Sequence, residues 1–256
     1  MKAGRVLLSA LPLIAWAQGF PWELSPRLPV KAPTHFLGIS GQLLTVPSVA
    51  TLQAVEHEWS CATYRRGTGL SLSVGIHGEW WCAPEGALRG LLAMEYATLQ
   101  LTAPGEPLPL RNGDFLQTEF QFRSAFWLLR GELSWKRRLW RWIWGSIAGW
   151  IAVQWQLRQE QWEVVLRPDD YFFNTFPPSR QRRLDQARSI QVRPYGAGIR
   201  CRFGYDLPLA RHSPLYAAPA LVVGTSLVSL AHTATWQRWE IGAEIALLFG
   251  LGTGRH

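Results

Sequence analysis

Sulfur is scarce in this chain: two methionines and three cysteines in 256 residues. The cysteines (Cys61, Cys82, Cys201) form no CxxC pair and no zinc-ligand spacing, which excludes a thiol redox motif and a structural zinc module. The histidines at 35, 57, 77, 212, 232 and 256 form neither HxH nor HExxH, so nothing supports a metal site or another cofactor. The GxSxG elbow of a serine hydrolase is missing, and GTGLSLSVG (67–75) alternates like a strand. Long apolar runs are missing too. The best, Trp142 to Val153 (WIWGSIAGWIAV), is interrupted by glycines and falls short of the ~20 residues that a membrane-crossing helix needs. Acidic residues number 18 against 26 basic ones, but no nucleic-acid motif accompanies the excess. Anionic lipid head groups, or plain solubility, account for it better.

Tryptophan, in contrast, is abundant: 15 residues. Trp is favoured where one end of a side chain is apolar and the other wet, as at a membrane interface. The N-terminus reads MKAGRVLLSALPLIAWAQGF, with basic Lys2 and Arg5, an apolar stretch from Val6 to Ile14, and Ala15-Trp16-Ala17 as a small-x-small cleavage pattern. Those regions predict a secretory signal peptide over 1–17, whose removal lowers the formal charge from +8 to +6. A Pro-rich leader follows over 18–34.

From His35 onward the chain falls into segments with a period of two, the signature of strands whose side chains alternate between two faces. Eight are predicted: 35–44, 69–81, 87–102, 115–135, 140–157, the stretch around 194–207, 215–231 and 236–251. In the sixth, Tyr195, Ala197, Ile199, Cys201, Phe203 and Tyr205 oppose Gly196, Gly198, Arg200, Arg202 and Gly204. In the eighth, Trp239, Ile241, Ala243, Ile245, Leu247, Phe249 and Leu251 oppose Arg238, Glu240, Gly242 and Glu244. In the third, Leu92, Met94 and Tyr96 oppose Glu95. In the fourth, Phe120, Phe122, Phe126 and Leu128 are assigned to the apolar face, and Gln117, Glu119, Gln121 and Arg123 to the polar one.

A soluble sandwich and a membrane barrel read such faces in opposite senses, and the connections discriminate between them. Gaps run long (45–68), short (82–86), long (103–114), short (136–139), very long (158–189), short (208–214) and short (232–235). Outer-membrane barrels alternate short periplasmic turns with longer outer loops. The fold class predicted is therefore all-β, an eight-stranded antiparallel transmembrane barrel over 35–251. A barrel of that size is filled by its own side chains. Glu79, Glu95, Glu119, Arg123, Arg200, Arg202, Glu240 and Glu244 are the expected polar network of the lumen. Trp80, Trp81, Trp135, Trp140 and Trp142 fall at strand ends as an interfacial girdle, with Lys136-Arg137-Arg138 beside them as a solvated turn or a head-group contact.

Candidate chemistry is thin. His77 and Glu79 share one strand face, where an acid–base pair could sit, but a hydrogen-bond network of the lumen is the expected reading. Cys61, in the first long gap, and Cys82, in the first short turn, would lie on opposite sides of the membrane, too far apart to pair. The longest loop combines Tyr171, Phe172, Phe173 and Phe176 with Arg180, Arg182 and Arg183, a composition suited to partner binding or to capping the barrel mouth. It also carries Asp169, Asp170 and Asp185, as loops of outer-membrane barrel enzymes do.

The alternation of a GxSxGxxGxxW-like strand, a strand ending in aromatics and a turn-led glycine-rich strand resembles the PorT-like outer-membrane β-barrel proteins of Bacteroidota and related phyla. The block GAGIRCRFGYDLPLARHSPLYAAPALVVG (196–224) resembles them most. The resemblance implies an outer-membrane location in a Gram-negative-type bacterium, and that some members assist secretion or surface assembly. The expected function is a non-enzymatic structural or partner-binding barrel acting through loops 45–68 and 158–189. Its partners would be outer-membrane lipids and other envelope or secretion proteins, with no nucleic acid. The alternatives are an outer-membrane barrel enzyme acting on lipid or peptide, and a soluble periplasmic lipocalin-like carrier.

Overall fold

The structure, a computed structural model, describes residues 34–56, 59–83, 85–111, 113–140, 143–184, 190–209, 214–232 and 234–251, with the backbone alone at 54–56, 59–61, 156 and 157. The predicted signal peptide, residues 18–33 of the leader, His57, Trp142, Asp185, His212 and His256 lie outside the described residues.

Among the described residues twelve strands follow one another: β1 (His35–Thr45), β2 (Ser48–Glu56), β3 (Trp59–Ala83), β4 (Gly86–Pro104), β5 (Leu108–Pro109), β6 (Phe115–Trp140), β7 (Ile143–Arg167), β8 (Gln181–Arg183), β9 (Tyr195–Tyr205), β10 (Leu207–Pro208), β11 (Leu215–Ser226) and β12 (Trp236–Leu251). Eight of them close a ring. β1 pairs with β3, and the pairing passes through β4, β6, β7, β9, β11 and β12 back to β1, antiparallel at every step. Closure leaves the eight strands of the ring without an unpaired edge, which a strand structure in lipid requires.

Three staves are far longer than a membrane needs. β3 and β7 have 25 residues and β6 has 26, whereas about 9–11 tilted residues cross a bilayer. The surplus lies at one end and builds an extension of the barrel wall. β2 takes up the line of β1 after Val46-Pro47 and pairs with the start of β3 and of β12. Thus 48–56 and 59–68, expected within a long loop, are paired strands of the extension. Gln161 to Arg167 continue β7 along β6, so 158–167 is wall and the connection begins at Pro168. Neither segment had shown the apolar alternation of a lipid-facing strand, because neither faces lipid.

The outer surface between the two ends is apolar. Leu70, Leu72, Val74 and Ile76 of β3, Leu129 and Leu133 of β6, Ile147 and Ile151 of β7, and Ile241 and Ile245 of β12 are all exposed, between 41% and 71%. Aromatics bound this belt. Tyr96, Trp127 and Trp155 form a row across β4, β6 and β7 at the extension end, the first two rings 5.3 Å apart. Trp80, Trp135 and Trp140 lie outward at the short-turn end, as predicted, but Trp81 points into the lumen. Its parity decides: β3 faces outward at Trp80, so its neighbour faces in.

Glycines on the inner face of β9 admit large neighbours. A Cβ at Gly198 would stand 2.4 Å from the Trp150 ring, and one at Gly204 2.4 Å from the Trp144 ring. The arginines between them face inward and the aromatics of β9 face out, with Cys201 among them.

Candidate functional site

Inside the ring the side chains are stacked in three levels. At mid-height, Arg89, Arg130, Arg200, Arg202 and Arg238 meet Glu95, Glu132, Glu240 and Glu244, every one of them buried. Arg130 holds Glu95, Arg89 holds Glu244, and Arg200 holds Glu240 through direct ion pairs. Arg202 bridges Glu132 to Glu244, the latter at 2.7 Å, and Arg238 bridges Glu95 (3.1 Å) to Glu240 (2.6 Å). Gln42 ties the set together: its amide donates to Glu244 at 2.8 Å, and its carbonyl accepts from Arg130 and Arg200 at 2.8 and 3.2 Å.

Charges taken out of water at this density persist only when they are paired with opposite charges. Here the pleat brings each guanidinium to at least one carboxylate, while Nε of Arg89, Arg130 and Arg238 and one terminal nitrogen of Arg200 stay buried without a hydrogen-bond partner among the described residues. Glu240 and Glu244 of β12, Arg200 and Arg202 of β9, and Arg130 and Glu132 of β6 are spaced by two or four residues, so each strand presents its charges to one axis. The guanidiniums also lie against indoles, Arg200 and Arg238 at 5.8 and 5.6 Å from the Trp150 ring.

Apolar layers close the network above and below. On the extension side, Tyr64, Phe122, Phe126, Leu128, Trp150 and Trp236 join one cluster, with Phe122 and Trp236 ring to ring at 5.7 Å. On the short-turn side, Phe36, Trp81, Tyr216 and Leu248 form another. Lys136 sits there, donating to Glu79 at 3.0 Å and to Asp206 at 3.2 Å, its ammonium 4.3 Å from the Trp144 ring. Arg138 lies over Trp81 at 4.9 Å. The triplet 136–138 is therefore not a surface turn: Lys136 and Arg138 are lumen residues, and Arg137 alone is on the outside, paired with Glu85 at 3.4 Å.

Of the residues assigned to the lumen, Glu79, Glu95, Arg200, Arg202, Glu240 and Glu244 are in it. Glu119 and Arg123 are not. They lie on the outer wall of the extension, with Gln117 and Gln121, while Phe120, Phe122, Phe126 and Leu128 face in. The assignment of β6 is inverted because this half of the strand stands outside the apolar belt, where water covers the exterior and apolar side chains go inward. Arg89, Arg130, Glu132, Lys136, Asp206 and Gln42 escaped the sequence reading. Continuing the parity of β6 past Leu128 brings Arg130, Glu132 and Lys136 onto the face of the phenylalanines, a signal that was available.

The long connection after β7 folds back on itself. Tyr171 and Phe173 meet edge to face at 6.1 Å, and Phe173 packs with Leu116 and Val165. Arg182 pairs with Glu163 at 2.6 Å and lies over Phe173, Arg183 reaches Glu160, and Arg180 pairs with Asp169 at 3.0 Å. Tyr171, Phe173 and these arginines thus pack onto the ends of β6 and β7, while Phe172 and Phe176 are left exposed. His77 is buried in the lumen, 3.3 Å from Arg89, whereas Asp169 and Asp170 lie beyond the far end of β7. Glu79, the other member of the candidate acid–base pair, shares that buried lumen face and is held by Lys136, so the loop aspartates alone are remote from it. Among the described residues no cluster of His, Cys, Asp and Glu is placed to hold a metal ion.

No protein-family model matches the chain, and no curated protein matches it. Solved outer-membrane barrels are similar to it in outline. Neisserial surface protein A (NspA) is 8% identical, covering 83% of this chain and 97% of its own, with a TM-score of 0.35. OprG from Pseudomonas aeruginosa is 11% identical over 86% and 98%, with a TM-score of 0.37. The outer membrane protease OmpT from Escherichia coli is 9% identical over 89% and 100%, with a TM-score of 0.31. At such distances no residue role transfers from any of them.

Proposed function

We propose that this protein is an integral outer-membrane β-barrel whose lumen is filled by its own ion-paired side chains, and that its role is structural or partner-binding rather than enzymatic. One observation carries the reading: the ring is closed, and its belt is apolar outside and charged inside. Water cannot be the solvent of such an exterior, since a contiguous apolar band around a monomer far exceeds what soluble proteins expose. Lipid can, and closed barrels are the only strand structures that lipid admits. The same inversion weighs against the lipocalin-like carrier, whose apolar residues would line the interior.

The filled lumen favours a scaffold over a channel. The extension and the connection packed onto it, with Phe172 and Phe176 exposed, are the surface offered to other envelope or secretion proteins. Export by residues 1–17 and membership of the PorT-like proteins belong to this proposal; they rest on the leader pattern and on the glycine and aromatic spacings of 196–224.

Membrane fractionation with gels of boiled and unboiled protein tests the reading. A closed barrel needs detergent and migrates faster unboiled. A protein that is soluble without detergent and migrates identically both ways is not this barrel.

A further inference from the structure

A hollow of about 960 Å³ opens on the outer wall where β3, β4, β6 and β7 pass from the belt into the extension. Its lower rim is Leu70 and Tyr96. Its floor is Thr98 and Ala125, small side chains that face each other across β4 and β6. Its upper rim carries Arg66 from β3, Arg123 from β6 and Arg158 from β7, with one carboxylate, Glu160 of β7, among them.

The heights of these arginines follow from the chain. The apolar face of β3 ends at Leu70, and Arg66 stands four residues beyond it. That of β6 ends at Trp127, and Arg123 again stands four residues beyond. Four residues of a tilted strand rise about 10 Å, within reach of the head-group layer for a side chain that bends its guanidinium toward the interface. The aromatic row Tyr96–Trp127–Trp155 marks that interface directly below.

Their charges are also unequally spent. Arg158 is paired with Glu160 at 2.6 Å. Arg123 donates to the amide oxygen of Gln121 at 2.7 Å and lies 5.7 Å from the Trp162 ring; its Nε is buried with no hydrogen-bond partner. Arg66 has no ion pair among the described residues. The hollow therefore presents two guanidiniums that make no ion pair among the described residues above an apolar rim, beside the Arg158–Glu160 pair and the neutral donors Thr68 and Gln100.

We infer that this hollow binds the phosphate of a membrane lipid, with Arg66 and Arg123 on the phosphate and the lipid chains lying against Leu70, Tyr96 and Trp127. Guanidiniums match phosphate oxygens in geometry as well as charge. A zwitterionic head group, which carries its own ammonium, gains less from two uncompensated cations. The inference rests on the membrane reading above.

The test is retention of lipid by the purified full chain in dodecyl maltoside micelles, supplemented with phosphatidic acid or with phosphatidylcholine and read by native mass spectrometry. Wild type should retain phosphatidic acid about tenfold over phosphatidylcholine, and the preference should shrink as salt rises. R66Q/R123Q should lose about tenfold of that retention; R111Q/R167Q, which removes the same charge elsewhere, should keep it. Retention by R66Q/R123Q equal to wild type overturns the site, and so does an equal loss in both double variants, which would reduce it to net charge. The faster migration of unboiled protein, measured on all three chains, reports the barrel separately. If it persists while lipid preference is absent, the site falls and the barrel stands; if wild type lacks it, both fall.

Discussion

On the inner face of β6, Phe120, Phe122 and Phe126 are followed by Arg130, Glu132 and Lys136, with no break in the alternation. The outer face runs the other way, from Gln117, Glu119, Gln121 and Arg123 to Trp127, Leu129 and Leu133. One strand thus belongs to two solvents. In the extension, water lies outside and the hydrophobic effect drives aromatics inward. In the belt, lipid lies outside, apolar residues gain nothing by being interior, and the polar groups collect where they can satisfy one another. The pleat is common to both halves; what changes between them is the medium touching the wall.

Breaking the inner face of the belt should have the largest effect. E244L removes the carboxylate shared by Arg89, Arg202 and Gln42 and leaves buried charges uncompensated, at a cost of about 3–5 kcal/mol. The denaturant midpoint for loss of the fast-migrating unboiled form should fall accordingly. In the extension the corresponding break is apolar. F122A empties part of the cluster around Trp236 and should cost about 3–4 kcal/mol by the same measurement.

The outer face supplies the sharper contrast, because one substitution can be made on one strand in both media. L133R places a guanidinium in the lipid-facing belt and should destabilise by about 2–4 kcal/mol. Q121R, on the same face in the extension, should change stability by less than about 0.5 kcal/mol. Equal costs would show that both halves share one solvent and would remove the boundary at Trp127. The smallest effect concerns labelling alone. In a C61S background, Cys82 at the short-turn end should react with a water-soluble maleimide in membranes open on both sides. Cys201, mid-belt on β9, should react only after detergent solubilisation. Rapid reaction of Cys201 in intact membranes would place β9 outside the lipid.

Much of the belt was legible because its residues alternate cleanly against one medium. β9 and β12 carry glycine and charge on one face and aromatics or aliphatics on the other, so their orientation, and with it Arg200, Arg202, Glu240 and Glu244, could be read strand by strand. β6 could not be read from one stretch. Residues 115–128 alternate as regularly as 236–251, but Phe122 and Ile245 carry opposite meanings, since the first packs on Trp236 and the second faces the surroundings of the ring. The extension pairing of β2 with β3 was hidden for a related reason: its exterior is polar, so it resembled a loop.

The amino-acid sequence by itself determined the eight strands of the ring, which of their residues share a face and the inventory of charges, because a period of two is a local property of an extended chain. Only the tertiary structure decided which charges meet and where the wall changes medium. Arg130 and Glu95 are ion-paired across neighbouring strands, and Arg89 reaches Glu244 across the lumen, from residues 155 apart in the chain. Those partnerships depend on ring closure and register. The boundary at Trp127 depends on how far each strand runs past its neighbours, which no single stretch of sequence encodes.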